Sequence, residues 1–221
     1  MTKVPCDFSY DHYREIIDSA KAKYQILPLK DFKPFTKDKV LVLRHDIDAK
    51  VRRATRMAKL ERDLDVTATY FVRVHAELYN PFGFRTYPLL KGIADMGHEI
   101  GLHFENLDFS HITGEDSSSV LRREIDVLET ILGVQIKGIA SHRGFSGIDN
   151  SDFMLKTRLS DFGVEYEAHE LTKNCFFISD SLRRWARTNG QCVCQILQEN
   201  HPQLCLLAHP QFWYKKAYYL G

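Results

Sequence analysis

The chain reads as an α/β protein in which a parallel sheet is covered by helices, and two features of the sequence predict it. Short apolar runs, suited to strands buried on both faces, alternate with segments of helical periodicity along most of the chain. At 221 residues, 44% apolar and 27% charged, the chain is sized for one substantial core. No repeat, low-complexity tract or Gly/Ser linker divides it. A single domain over 1–221 is therefore expected, with 1–38 as an N-terminal helix and lead-in segment.

The elements follow in order. Tyr13, Ile16, Ile17 and Ala20 give a helix from about Tyr10 to Tyr24, which Pro28 and Pro34 stop. Val40 to Leu43 is a buried strand leading into Arg44-His45-Asp46-Ile47-Asp48. Ala49 to Arg62 is helical, with Arg52, Arg53 and Arg56 on a solvated face. Val66 to Val74, β-branched and aromatic, is a second strand. Pro88 to Met96 is a helix closed by Gly97. His98 to Leu102 forms a third strand running into His103. Ser117 to Leu132 is an amphipathic helix closed by Gly133, and Ile136 to Ala140 a fourth strand ending at Ser141-His142-Arg143-Gly144. Beyond these come a helix over Phe153 to Leu159, strands at Gly163 to Tyr166 and Phe176 to Ile178, a helix from Val193 to Glu199, and a strand at Leu204 to Ala208 that ends at His209-Pro210.

Thirty basic residues against twenty-nine acidic ones leave no electrostatic footprint for nucleic acid, so no such partner is expected. The start lacks a basic stretch followed by an apolar core, and nowhere do 18 apolar residues run together. The reading is therefore no secretory leader, no transmembrane segment and a cytoplasmic protein. Cys6, Cys175, Cys192, Cys194 and Cys205 are odd in number and lack metal-site spacing; they read as reduced thiols, mostly buried. The oligomeric state is not legible.

Four of the strands end in ligand-type residues: Asp46 and Asp48, His103 and Glu105, His142 and Arg143, and His209. One such residue at a strand end is ordinarily a cap; four sets favour a site at the C-terminal ends of a barrel. Residues two apart on extended backbone share a face, which groups Asp46 with Asp48 and His103 with Glu105. Imidazoles with a carboxylate suit zinc or another first-row divalent ion. Such an ion acidifies a water and polarises a carbonyl, while a second carboxylate serves as base and an imidazole protonates a departing amine. His45 should face away from Asp46, into the core, and His98 lies at the far end of its strand. Arg143 suits an anionic group or a salt bridge to Glu105. Asp180 either orients a catalytic group or caps the segment reaching Trp185, and Phe212 and Trp213 either wall a sugar ring or pack the C-terminal segment.

The segments RHDID (Arg44 to Asp48), DVTATYFV (Asp65 to Val72), GHEIGLHFEN (Gly97 to Asn106), SHRG (Ser141 to Gly144), ISDS (Ile178 to Ser181) and LLAHPQFW (Leu206 to Trp213) resemble, in order, the motifs of the polysaccharide deacetylase superfamily, carbohydrate esterase family 4. They are most similar to its R-H-D-[IV]-D branch, associated with bacterial surface-polysaccharide gene clusters. The resemblance implies a single distorted (β/α) barrel of seven parallel strands that hydrolyses N-acyl groups on sugars. It implies Asp46 as general base, Asp48 and His103 as metal ligands and His209 as general acid. The family's usual histidine four residues after His103 is absent, because position 107 is Leu107. Its replacement is His142, the preferred candidate, or Glu105 or His111. If not a ligand, Glu105 binds substrate hydroxyls or orients His103. Zinc is the expected ion, with manganese, cobalt or nickel as alternatives. The expected substrate is a small, nucleotide-linked or lipid-linked N-acyl sugar. A non-sugar amide or formamide hydrolase and a metal-free carbohydrate-binding pseudoenzyme are the competing readings.

Overall fold

In a computed structural model, described for residues 6–215, the alternation of elements produces one curled sheet. Ser9 caps helix α1 (Tyr10–Lys21) by accepting the His12 amide, and Tyr13, Ile16, Ile17 and Ala20 are its buried face. The strands are β1 (Gln25–Leu27), β2 (Val40–Ile47), β3 (Thr69–Val72), β4 (Glu99–Phe104), β5 (Gly138–Ser141), β6 (Tyr166–Glu167), β7 (Phe176–Ser179) and β8 (Gln203–Ala208). Seven of them run in the order β6-β5-β4-β3-β2-β8-β7, every pair parallel, and β1 pairs with the start of β2. Strands β6 and β7 do not pair, so among the described residues the barrel stays open on one side. The seven-stranded distorted barrel expected from the sequence is what forms.

The remaining helices are α2 (Val51–Asp63), α3 (Tyr87–Asp95), α4 (Asn106–Thr113), α5 (Ser117–Leu132), α6 (Ala168–Leu171) and α7 (Val193–Ile196). Side-chain alternation divides the interior in two. Leu41, Leu43 and Ile47 of β2 pack outward with the helices, whereas Val40 and Val42 face a lumen shared with Phe71, Ala140 and Tyr166. Leu29 and Phe32 join the lumen cluster at the N-terminal ends of the strands. There the Leu29 amide donates to Thr69 Oγ1 (2.8 Å) and the Lys30 amide to Glu99 Oε2 (3.0 Å). At Gly138 a side chain would overlap the Tyr166 ring, so the lumen closes only over a glycine. Plugged below and packed in the middle, the barrel leaves its C-terminal end for polar residues.

His45 and His98 are structural, as their positions suggest. His45 Nε2 meets Glu61 Oε1 at 2.6 Å on the helix side of β2, and Tyr13 and Tyr70 donate to the same carboxylate. His98 accepts from the Ala68 amide and donates to the Ala58 carbonyl.

Several boundaries differ from the sequence reading. The helix expected over Phe153 to Leu159 is two 3-10 turns, Asn150–Lys156 and Leu159–Phe162, because Thr157 and Arg158 are extended between them. The strand expected from Gly163 shrinks to Tyr166–Glu167, since Gly163 is left-handed and ends the preceding turn. The helix expected to reach Glu199 is the single turn of α7. The segment holding His111, to which the sequence assigns no element, is α4, with exposed His111 in its last turn.

Candidate metal centre

The alternation that sends Val40 and Val42 into the lumen sends Arg44 and Asp46 there too, with Asp48 just beyond the strand. The Arg44 guanidinium clasps Asp46 with two bonds of 2.9 Å and lies 5.0 Å over the Phe71 ring. Its third donor, Nη1, faces His169 Nε2 at 3.3 Å. Burial and the Arg44 charge push His169 down to about 4, so it is a neutral acceptor. For Asp46, burial alone would favour the neutral acid. Arg44, helped by His103 and His209, outweighs this and holds the carboxyl well below the usual carboxylate range.

His103, at the end of β4, donates from Nδ1 to the Ala140 carbonyl (2.9 Å). That fixes the tautomer and turns Nε2 toward Asp46 Oδ2 (3.4 Å) and Asp48 Oδ1 (3.7 Å). Burial lowers its pKa against the pull of both aspartates, so the ring is neutral, as a ligand must be. His142, one residue past β5, places Nε2 3.9 Å from the same Asp48 oxygen, and its Nδ1 contacts Glu105 Oε1 at 2.8 Å. Asp48, His103 and His142 thus offer three donor atoms within 4.8 Å of one another. Asp48 Oδ1 is buried without a hydrogen-bond partner. A carboxylate oxygen stripped of water and facing two imidazoles fits a divalent cation, which would relieve its unmet demand for positive charge.

His209 follows β8. Its Nδ1 meets Asp180 Oδ1 at 2.6 Å, and Nε2 points into the site, 3.8 Å from Asp48 Oδ2. Asp180 is fully buried and also accepts the His209 amide and the Trp213 indole N–H (2.8 Å). Burial opposes charge on His209, but Asp180, then Asp46 and Asp48, raise its pKa to about 9. Of the two readings of Asp180, the orienting one matches this geometry, since its side chain caps no helix. Trp213 is completely buried, so it packs and donates to Asp180 and cannot wall a sugar.

Of the alternatives for the third donor, Glu105 is engaged elsewhere and His111 lies outside the cluster. Arg73 grips Glu105 through Nε (3.0 Å) and Nη2 (2.6 Å), which leaves the carboxylate to brace His142. The salt bridge considered between Arg143 and Glu105 is not formed, because Arg73 occupies that carboxylate and Arg143 is exposed. Leu107 packs against the helix-side core.

The sequence reading missed Arg44, Arg73 and the pair Asp108 and Asn150. The two-residue alternation that paired Asp46 with Asp48 would have reached Arg44, and the same rule from Phe71 reaches Arg73. Asp108 and Asn150 had no such signal. Asp108 accepts the amides of Phe145 and Ser146, while Asn150 donates to Asp108 and to the His142 carbonyl and accepts from Leu107 and Asp108. Together they tie the loop after His142 to the start of α4. Gly144 in that loop has no room for a side chain against the Ile148 carbonyl.

No family model matches the chain, and no curated protein does. Solved structures do. A family 4 carbohydrate esterase from Bacillus anthracis aligns over 90% of this chain and 77% of its own, at 19% identity and a TM-score of 0.51. A mutant of a CE4-family pseudoenzyme with restored enzymatic activity aligns over 82% of this chain at 17% identity and a TM-score of 0.50. This chain spans only 62% of that protein. The likeness shows the fold, which is the distorted (β/α) barrel of the family 4 esterases. No helix among the described residues is long and apolar enough to cross a membrane.

Proposed function

We propose that the chain is a metal-dependent N-deacylase that removes an N-acyl group, foremost N-acetyl, from a nucleotide- or lipid-linked sugar intermediate of bacterial surface-polysaccharide assembly. The observation that carries this reading is the convergence, at one barrel end, of a donor set (Asp48, His103, His142), a clamped carboxylate (Asp46) and a charged imidazole (His209). Two imidazoles and one carboxylate suit zinc, with manganese, cobalt or nickel as alternatives. Bound there, a divalent ion would supply Lewis acidity, making a water acidic enough for a base as weak as Asp46 and polarising the amide carbonyl.

The chain's own groups do the rest. Arg44 keeps Asp46 ionised and fixed, so the carboxylate is ready to take a proton from a water beside His103. His209, protonated at neutral pH, holds its Nε2 proton toward Asp48, beside the donor set, from where it would pass to the leaving nitrogen of an amide. Asp180 keeps that ring turned inward. Beside these residues a cleft of about 400 Å³ is lined by Arg73, His142, Arg143, Phe109 and Phe145. Aromatic faces and guanidinium donors of this kind suit a sugar bearing an anionic group.

The test is a panel of N-acetyl and N-formyl sugars, free, nucleotide-linked and lipid-linked, incubated with zinc-loaded protein while amine and acid release are followed. Amine release that falls by about 100-fold or more in Asp46→Asn is the expected result. No turnover of any member by fully metal-loaded protein, with sugar binding retained, would instead make the chain a carbohydrate-binding protein. Formate without acetate would move the substrate to formamides.

A further inference from the structure

The spacing of the cysteines along the chain hides what folding does with them. Helix α1 packs beside α7, and this brings Cys6, just before α1, to the Cys192-Val193-Cys194 segment that opens α7. Cys6 Sγ lies 3.3 Å from Cys194 Sγ, and His12 Nε2 lies 3.0 Å from Cys192 Sγ. All four donor atoms fall within 4.8 Å of one another. A tetrahedral zinc ion with three thiolates and one imidazole has donor–donor edges of about 3.5–3.8 Å, from bond lengths of ~2.3 and ~2.0 Å. The two closest edges here lie within about half an ångström of that range.

The surroundings match a closed metal site. His12 is completely buried, and its Nδ1 meets Glu15 Oε2 at 3.0 Å. That carboxylate fixes the ring tautomer and leaves Nε2 facing the sulfurs, the arrangement that histidine ligands ordinarily have. Cys192 is buried as well, and its amide is held by the Gln195 side chain (2.9 Å), which sets where the sulfur sits. All five cysteines are free thiols, so three of them are gathered around one imidazole without a covalent link.

We propose that Cys6, His12, Cys192 and Cys194 form a structural zinc site that clips the N-terminal segment to α7, separate from the barrel-end centre and independent of the function proposed for it. Four protein donors leave no open position, so the site holds structure and performs no chemistry. Thiolates also set its preference apart from the barrel end, since soft sulfur ligands favour zinc where oxygen and imidazole admit harder ions. The clip anchors residues 6–9, whose Phe8 ring packs 5.3 Å from both Trp185 and Trp213. Through Trp213 it braces the wall behind Asp180.

The test uses full-length protein, reduced, stripped with a strong chelator and titrated with cobalt(II) alone. Thiolate-to-cobalt charge-transfer absorption in the near ultraviolet reports sulfur ligation, which the barrel-end residues cannot produce. The expected result is one equivalent of such absorption in the parent and in Asp48→Asn, displaced by zinc and lost in Cys192→Ser/Cys194→Ser. The unmodified chain alone decides the matter if that variant fails to fold. No charge-transfer band in the reduced parent would overturn the proposal. A band that survives in the double variant would do so too, as would protein purified without reductant whose mass and thiol count show a Cys6–Cys194 disulfide in place of metal.

Discussion

Asp180→Asn isolates the charge that keeps His209 an acid. The carboxylate is fully buried and accepts from the His209 ring and amide and from the Trp213 indole. It is also the largest influence opposing the burial that would otherwise neutralise the imidazole. The rise from 6.5 to about 9 corresponds to about 3 kcal/mol, at ~1.4 kcal/mol for each pH unit. Because the folded-state pKa is the raised one, this stabilisation is fully present below pH 6.5 and is lost as pH climbs through 9. In the asparagine variant the charge partner is gone, and His209 should titrate at or below its ordinary value. The parent should therefore exceed the variant in stability most near pH 6, with the gap narrowing by about 3 kcal/mol toward pH 10. A remainder of about 1 kcal/mol should persist from the weaker acceptor facing Trp213. Urea denaturation of chelator-treated protein at several pH values gives the gap, and carbon-proton NMR of the His209 ring gives the pKa directly. Parallel stability curves for the two proteins, or a parent His209 that titrates near 6.5, would refute the reasoning.

Two further outcomes follow from packing and charge. Arg73→Met strips the buried Glu105 carboxylate of its bidentate partner and should cost about 3–5 kcal/mol in urea denaturation. Adding Glu105→Gln should recover part of that loss, since the uncompensated charge goes with it. Gly138→Ala drives a methyl group into the Tyr166 ring and should cost at least about 1–3 kcal/mol by the same assay.

Much of the barrel was legible because parallel strands covered on both sides must be apolar runs, and those runs fix where polar residues can emerge. Asp46, Asp48, His103, His142 and His209 stood out as the places where such runs stop. What the pattern could not carry was any contact made by chain folding alone. The C-x-C of Cys192 and Cys194 lacks the spacing of a metal motif, yet its other two donors lie some 180 residues away on and before α1, where only helix packing brings them near. Arg73 and Glu105 come from neighbouring strands, so their pairing depends on register. Helix α4 gives little sequence signal because its residues have weak amphipathic character. It holds its first turn through Asn150, a side chain from beyond β5.

The same register accounts for how the proposed centre would be completed without a histidine at position 107. The chain turns into α4 directly after Glu105, and that turn carries Leu107 to the helix-side core, away from the lumen where His103 points. A ligand four residues on would have to face a direction this backbone does not offer. In the proposed centre the neighbouring strand takes that place: β5 pairs in register with β4 and brings His142 beside His103, with ring centroids 5.0 Å apart. Leu107→His should therefore bring no second donor to His103, and burying its imidazole among apolar neighbours should cost roughly 1–3 kcal/mol. His142→Ala should weaken manganese binding by about 100-fold or more, and Leu107→His added to it should leave that loss in place. Manganese followed by electron paramagnetic resonance is the suitable probe, because thiolates hold it poorly and only the barrel-end site is then read. Recovery of the parent's affinity in the double variant would mean that α4 can rotate its first turn into the lumen, and that His142 is only one of two ways to complete the centre.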